Sequence, residues 1–143
     1  MIVLDTNVLS EPMRPHGDPA VAAWLDRQRR ESLYLTTISV AELLLGLELL
    51  PTGLRRSRLE ARIAEIVAVF GERRTLSFDI PAARHFAVLV ARARAAGHTI
   101  GVADGQIAAI AARHGFAVAT RDTAPFAAAG VPTIDPWTAG LPA

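Results

Sequence analysis

The sequence predicts an α/β domain in three layers, with helices on both faces of a mostly parallel central sheet of four or five strands. Three observations predict it. Short apolar runs with β character alternate with longer stretches of helical period along the chain. Helix start and stop signals fall between those runs. The 143 residues, 51% of them apolar, suit one core. A single domain over residues 1–143 is therefore expected.

The elements follow in order. "IVLD" (2–5) is continuously apolar up to Asp5, as expected of a strand covered on both faces. "DPAVAAWLDRQ" (18–28) reads as a helix, with Asp18 as cap and Pro19 at the first helical position. "LYLT" (33–36) is the second strand, and "SVAELLLGLELL" (39–50) the next helix. "LRRSRLEARIAEIVAVF" (54–70) is a third helical stretch, followed by the run "TLSF" (75–78). Asp79 and Pro81 open the helix "IPAARHFAVLVARARAAG" (80–97), which Gly97 stops. "GVADGQIAAIAARHG" (101–115) is stopped by Gly115 in the same way. "AVAT" (117–120), a short helix near "TAPF" and "PTID" (132–135) complete the alternation.

Composition excludes several classes of function. There is no cysteine, so disulfide frameworks and thiolate zinc sites are out, which fits a reducing cytoplasm. No run of 18 apolar residues and no secretory signal are visible. Net charge is only +1, unlike many nucleic-acid binders. All 15 basic residues are Arg. Without Lys there is no Walker P-loop and no Schiff-base chemistry.

Four acids stand where open parallel sheets form ligand crevices, at strand ends and helix heads. Asp5 ends the first run, and Asp122 follows "AVAT". If these two strands are neighbours, the two acids converge on one crevice. Glu42 has a structural reading: Ser39-x-x-Glu42 is a capping box. Against it, Val40, Leu43, Leu44 and Leu47 line one side of that helix, while Leu45 and Leu49 lie with Glu42 on the other. A helix apolar on both sides is expected to be covered on both, leaving Glu42 at a cleft edge. Asp104 is an acid in a first helical turn, favoured by the helix dipole. It also heads the inward stripe of Ile107, Ala108 and Ala111. Asp122 can serve as an Asx-turn or helix cap. Each acid alone has a structural explanation, but their joint placement shifts the reading. Gathered carboxylates repel, and an oxygen-liganded Mg²⁺ or Mn²⁺ relieves that repulsion.

"LDTNVLSE" at the start, "TTISVAELLLG" (36–46), "ADGQIAAIAARHG" (103–115) and "VATRDTAPF" (118–126) resemble the four acidic motifs of PIN domains. The chain looks like the VapC-type toxins of bacterial toxin–antitoxin pairs. The FitB branch is the nearest in kind, through "DTNVLSEPMRP", "VATRDT" and the final "DPW" (135–137). The resemblance implies a PIN-like α/β/α fold and a Mg²⁺- or Mn²⁺-dependent ribonuclease. Asp5, Glu42 and Asp104 match the three core acids, and Asp122 matches the fourth-motif acid of the FitB branch. Where many PIN domains read T-R-N-x-x-D-F, this chain has Asp122 at the Asn position and Pro125 at the later Asp position. Asp122 would then act directly or through water. The resemblance also implies a homodimer, a VapB-type antitoxin that blocks the crevice, and operator DNA bound through the antitoxin.

The expected chemistry is hydrolysis of RNA phosphodiester bonds. Asp5 and Asp104 would hold the principal metal ion, with Glu42 and Asp122 completing the acidic pocket. Thr6, Asn7 and Thr120 lie beside the ligands and would orient them; for Thr6 and Asn7 a helix cap explains the residues equally well. Arg121 is placed for phosphate or partner contact. Residues 53–74 hold Arg55, Arg56, Arg58, Arg62, Arg73 and Arg74 against three Glu, either an RNA- or antitoxin-binding face or a solvated one. His114, at a helix C-terminus, reads as structural and favoured as imidazolium. Two rivals remain: an assembly subunit with weak or lost nuclease activity, and a phosphatase using Asp5 as nucleophile. The second lacks the usual Asp two residues on, where Asn7 stands, and the Lys.

Overall fold

The computed structural model describes residues 1–140; residues 141–143 of the expected domain lie outside the described residues. Five strands form one parallel sheet: β1 (Ile2–Leu4), β2 (Leu33–Thr36), β3 (Thr75–Leu76), β4 (Ala117–Ala119) and β5 (Thr133–Ile134). Their spatial order is β3-β2-β1-β4-β5. The chain therefore builds outward in one direction from β1 and then in the other. The point of reversal lies between β1 and β4, which pair Ile2 with Ala117, Val3 with Val118 and Leu4 with Ala119. A crevice is expected beyond the carboxyl ends of those two strands.

Seven α-helices among the described residues cover the sheet: α1 (Thr6–Ser10), α2 (Pro19–Arg27), α3 (Thr37–Glu48), α4 (Leu54–Phe70), α5 (Ile80–Ala95), α6 (Val102–His114) and α7 (Thr123–Ala128). Strand alternation divides the core. Val3 and Val118 face a cluster with Leu89, Ile107, Ala108 and Phe126, supplied by α5, α6 and α7. Leu4 and Ala119 face the opposite cluster, with Val8, Val21, Leu43 and Ile63 from α1 to α4. This is the three-layer arrangement that the alternation predicts.

Local signals explain most boundaries. Asp18 accepts from the Ala20 N–H at 2.9 Å ahead of Pro19, and Asp79 accepts from the Ala82 N–H at 2.9 Å. Gly115 ends α6 in the left-handed region, at φ +70°.

Helix α3 departs from expectation in two ways. The capping box is not made. Strand β2 ends on Thr36, whose hydroxyl oxygen accepts from the Ser39 N–H at 3.0 Å, so the cap sits three residues earlier. Glu42 is released for other work. The helix is also covered on one side only. Leu43 and Leu47 are buried, but Leu44, Leu45 (59% exposed) and Leu49 (77% exposed) face solvent, and Glu42 is exposed with them.

Candidate active site

Asp5 stands at the β1 carboxyl end, 4% exposed, its N–H donating to the Ala119 carbonyl at 3.0 Å. A buried carboxylate is costly unless donors surround it. Three do. Its Oδ1 accepts from the Thr6 N–H at 2.7 Å. Its Oδ2 accepts from the Thr120 hydroxyl at 2.8 Å and from Asn7 Nδ2 at 2.9 Å. Burial nevertheless pushes the Asp5 carboxyl above its ordinary pKa. The Thr120, Thr6 and Asn7 hydrogen bonds oppose that rise, and Glu42 adds to it.

Thr6 joins two acids that are far apart in sequence. While its N–H donates to Asp5, its hydroxyl donates to Glu42 Oε1 at 2.7 Å. Thr120 plays the same part on the other side. Its oxygen also accepts from the Asp122 N–H at 3.1 Å. Asn7 Oδ1 accepts from the Arg121 N–H at 3.3 Å. The side chains of Thr6 and Asn7 thus donate to Glu42 and Asp5, while Asp5 itself caps α1.

Asp104 lies half-buried in the first turn of α6. Its pKa is raised to about 6, first by burial and then by the charges of Asp5, Glu42 and Asp122. That Coulombic coupling places the four predicted acids in one electrostatic neighbourhood. Asp122 is exposed and precedes α7, but its side chain makes no capping bond, so the helix-cap explanation is not realised. Among the described residues its carboxylate makes no hydrogen bond or salt bridge.

Two further residues of this region, both inside quoted motifs, take their part only through the tertiary fold. Gly105 follows Asp104 inside α6, and a Cβ there would stand 2.9 Å from the Phe86 ring. The glycine lets α6 lie against α5 and so seats Asp104. A glycine within a helical stretch is the only hint. Trp137 is the other: the Arg121 guanidinium lies over its ring, 5.3 Å from the centroid.

The remaining candidates lie in other settings. Arg56 pairs with Glu48 at 2.9 Å, and Arg62 with Glu65 at 3.5 Å. Arg74 donates to the Val69 carbonyl at 2.7 Å and lies over Phe70. His114 corrects the expectation of a favoured imidazolium: burial, then Arg113, lower its pKa, and its ring lies against Phe116.

Among the described residues, no three His, Asp or Glu side chains stand in a geometry that grips one ion. The chemistry of the four acids still suits a hard divalent cation: the donors are all oxygen, and the repulsion that raises Asp104 is what such a cation relieves.

Residues 2–131 match the PIN domain family. The chain belongs to the PIN-domain family. Within it, the chain sits with VapC- and FitB-type toxins. It is 52% identical to the VapC ribonuclease Y4jK of Sinorhizobium fredii over 137 residues, 96% of this chain and 98% of that protein. It is 45% identical to the toxin FitB of Neisseria gonorrhoeae over 137 residues, covering 96% of this chain and 99% of that one. The solved structure of FitAB bound to an IR36 DNA fragment superposes with a TM-score of 0.91 at 46% identity, covering 96% of each chain. The four candidate acids stand directly after β1, midway along α3, in the first turn of α6 and at the β4–α7 junction.

Proposed function

We propose that this PIN domain is a Mg²⁺- or Mn²⁺-dependent ribonuclease toxin that hydrolyses RNA phosphodiester bonds and is neutralised by a VapB-type antitoxin. The observation that carries this reading is the hydrogen-bonded set of Asp5, Glu42, Thr6 and Thr120, with Asp104 within reach of the charges of Asp5, Glu42 and Asp122. The ribonuclease name of the Sinorhizobium fredii relative supports it. The toxin works as one domain and as a homodimer in the cytoplasm, and meets operator DNA through its antitoxin.

Asp5 and Asp104 would hold the ion, and Glu42 and Asp122 would complete the pocket. A bound divalent cation would supply Lewis acidity toward the phosphate and lower the pKa of water. The chain's own residues prepare the site. Thr120 and Asn7 fix the Asp5 carboxylate, and Thr6 turns Glu42 toward it. In the metal-free chain Asp104 keeps its proton up to about pH 6, which limits the repulsion among the four acids. Carboxylates alone would repel RNA, so catalysis at this pocket requires a cation.

The test is incubation of the purified chain with RNA, with and without Mg²⁺, beside the Asp5→Asn variant. Mg²⁺-dependent cleavage by the parent and none by the variant is expected. Equal cleavage by both would overturn the assignment. A second reading is a FitB-like subunit of a DNA-bound complex with weak or no nuclease activity. The likeness to FitAB on DNA favours it. A divalent-metal titration that leaves RNA intact at every concentration would select it.

A further inference from the structure

Arg121 is tied by its backbone to the acidic pocket: its N–H donates to Asn7 Oδ1, and its neighbours Thr120 and Asp122 belong to the same network. An exposed guanidinium beside four carboxylates is expected to fold onto one of them. It does not. Five arginine–carboxylate pairs occur among the described residues, and Arg121 is in none. Its guanidinium lies over the Trp137 ring instead. An aromatic face holds an arginine without using its N–H donors, which stay available.

The ring is itself anchored. Asp135 Oδ1 accepts from the Trp137 N–H at 2.9 Å, and the Asp135 carbonyl accepts from the Ala139 N–H at 2.9 Å. Pro136 between them is buried. The turn follows directly from β5, and the Thr120 N–H donates to Ile134 at 2.9 Å. Arginine and tryptophan are thus mounted on adjacent strands, one residue and three residues beyond that bond.

We propose that Trp137 is a positioning residue, whose ring keeps the Arg121 guanidinium off the carboxylates and presents it at the pocket rim to a phosphate of bound RNA. The proposal rests on the ribonuclease reading. The geometry serves two ends: the acids stay free for the cation, and the RNA backbone meets a positive charge where it approaches four negative ones.

The experiment is anisotropy of a short fluorescein-labelled single-stranded RNA with the full chain, at one fixed Ca²⁺ concentration and with the RNA checked to be uncut, over a KCl series. Loss of one phosphate contact flattens the slope of log Kd against log salt by about 0.7. Arg121→Ala is expected to show that flattening. Trp137→Leu is expected to show the same flattening, Trp137→Phe to keep the parent slope, and the double variant R121A/W137L to flatten no further than R121A. Thermal melts accompany each variant. Trp137→Met replaces the Leu variant if that one does not melt cooperatively. A parent slope in R121A, or in W137L or W137M, overturns the proposal, as does additive flattening in the double variant. RNA cleavage with Mg²⁺ alongside an unflattened slope removes this inference alone. Absence of Mg²⁺-dependent cleavage removes the ribonuclease reading and this inference with it.

Discussion

The Thr120 hydroxyl donates a 2.8 Å hydrogen bond to Asp5 Oδ2 from 115 positions away in sequence. The bond closes the point of reversal between β1 and β4, and every feature of the pocket is built around it.

Thr120→Val removes that bond and keeps the shape. A buried hydrogen bond to a charged group is worth about 2 kcal/mol, so Thr120→Val is expected to lower stability by about that much in urea titration at neutral pH. The loss is expected to shrink in acid, where Asp5 is protonated. RNA cleavage is expected to fall along with it, because Asp5 is no longer held in one orientation.

Asp5→Asn separates charge from packing. Burial is the main cause of the raised Asp5 pKa, so the ionised form costs stability in the folded chain. The amide removes that cost. The amide also sets an NH₂ against one of the three donors, so its melting temperature at neutral pH is expected to stay near the parent's, while cleavage falls by at least about a hundredfold. A melting temperature well below the parent's would show that the carboxylate itself supports the fold.

Asp104 gives a pH dependence of defined sign. Its folded pKa, about 6, lies above the ordinary aspartate value of 3.8. The folded chain therefore binds the proton more tightly than the unfolded chain does. The resulting stability is fully present below about pH 3.8 and is lost as pH rises through about 6. Asp5, raised in the same direction, adds the same sign. Denaturant titrations without metal are expected to show this decline between those limits, and Asp104→Asn to flatten it. Proton and cation compete for one carboxylate, so the rise in melting temperature from Mg²⁺ is expected to be larger above pH 6 than below it.

Gly105→Ala tests the seat of Asp104. The new methyl meets the Phe86 ring at 2.9 Å, so the ring or α6 must shift. Overpacking of this kind costs about 1–3 kcal/mol, against the gain that alanine usually brings to a helix. Destabilisation in urea, together with weaker Mg²⁺ binding, is expected. Phe86→Leu in the same chain is expected to restore part of both.

Features governed by a few neighbouring residues were legible in the sequence. Asp18 and Asp79 cap the helices they precede, and all five strands lie within the apolar runs. The misreadings turn on where a strand ends and on partners distant in sequence. Ser39-x-x-Glu42 is a sound capping pattern, but Thr36 reaches the same N–H, because β2 ends there. Glu42 then turns to Thr6, 36 residues earlier. The apolar side of α3 bearing Leu45 and Leu49 looked internal, since composition does not say which neighbour will cover a face. Asp5, Asp104 and Asp122 were legible because each sits at an element end, whereas Glu42 lies midway along α3, not at the helix head the sequence suggested. The bridging roles of Thr6 and Thr120, and the space at Gly105, depend on the tertiary fold.

Both borders of the sheet, β3 and β5, are strands of only two residues. A long bare border would offer a row of amide and carbonyl groups on which another chain could add a strand. Here that row is too short to template one. Copies released together at high concentration would not seed fibrils through these borders, so the backbone there needs no other protein to shield it.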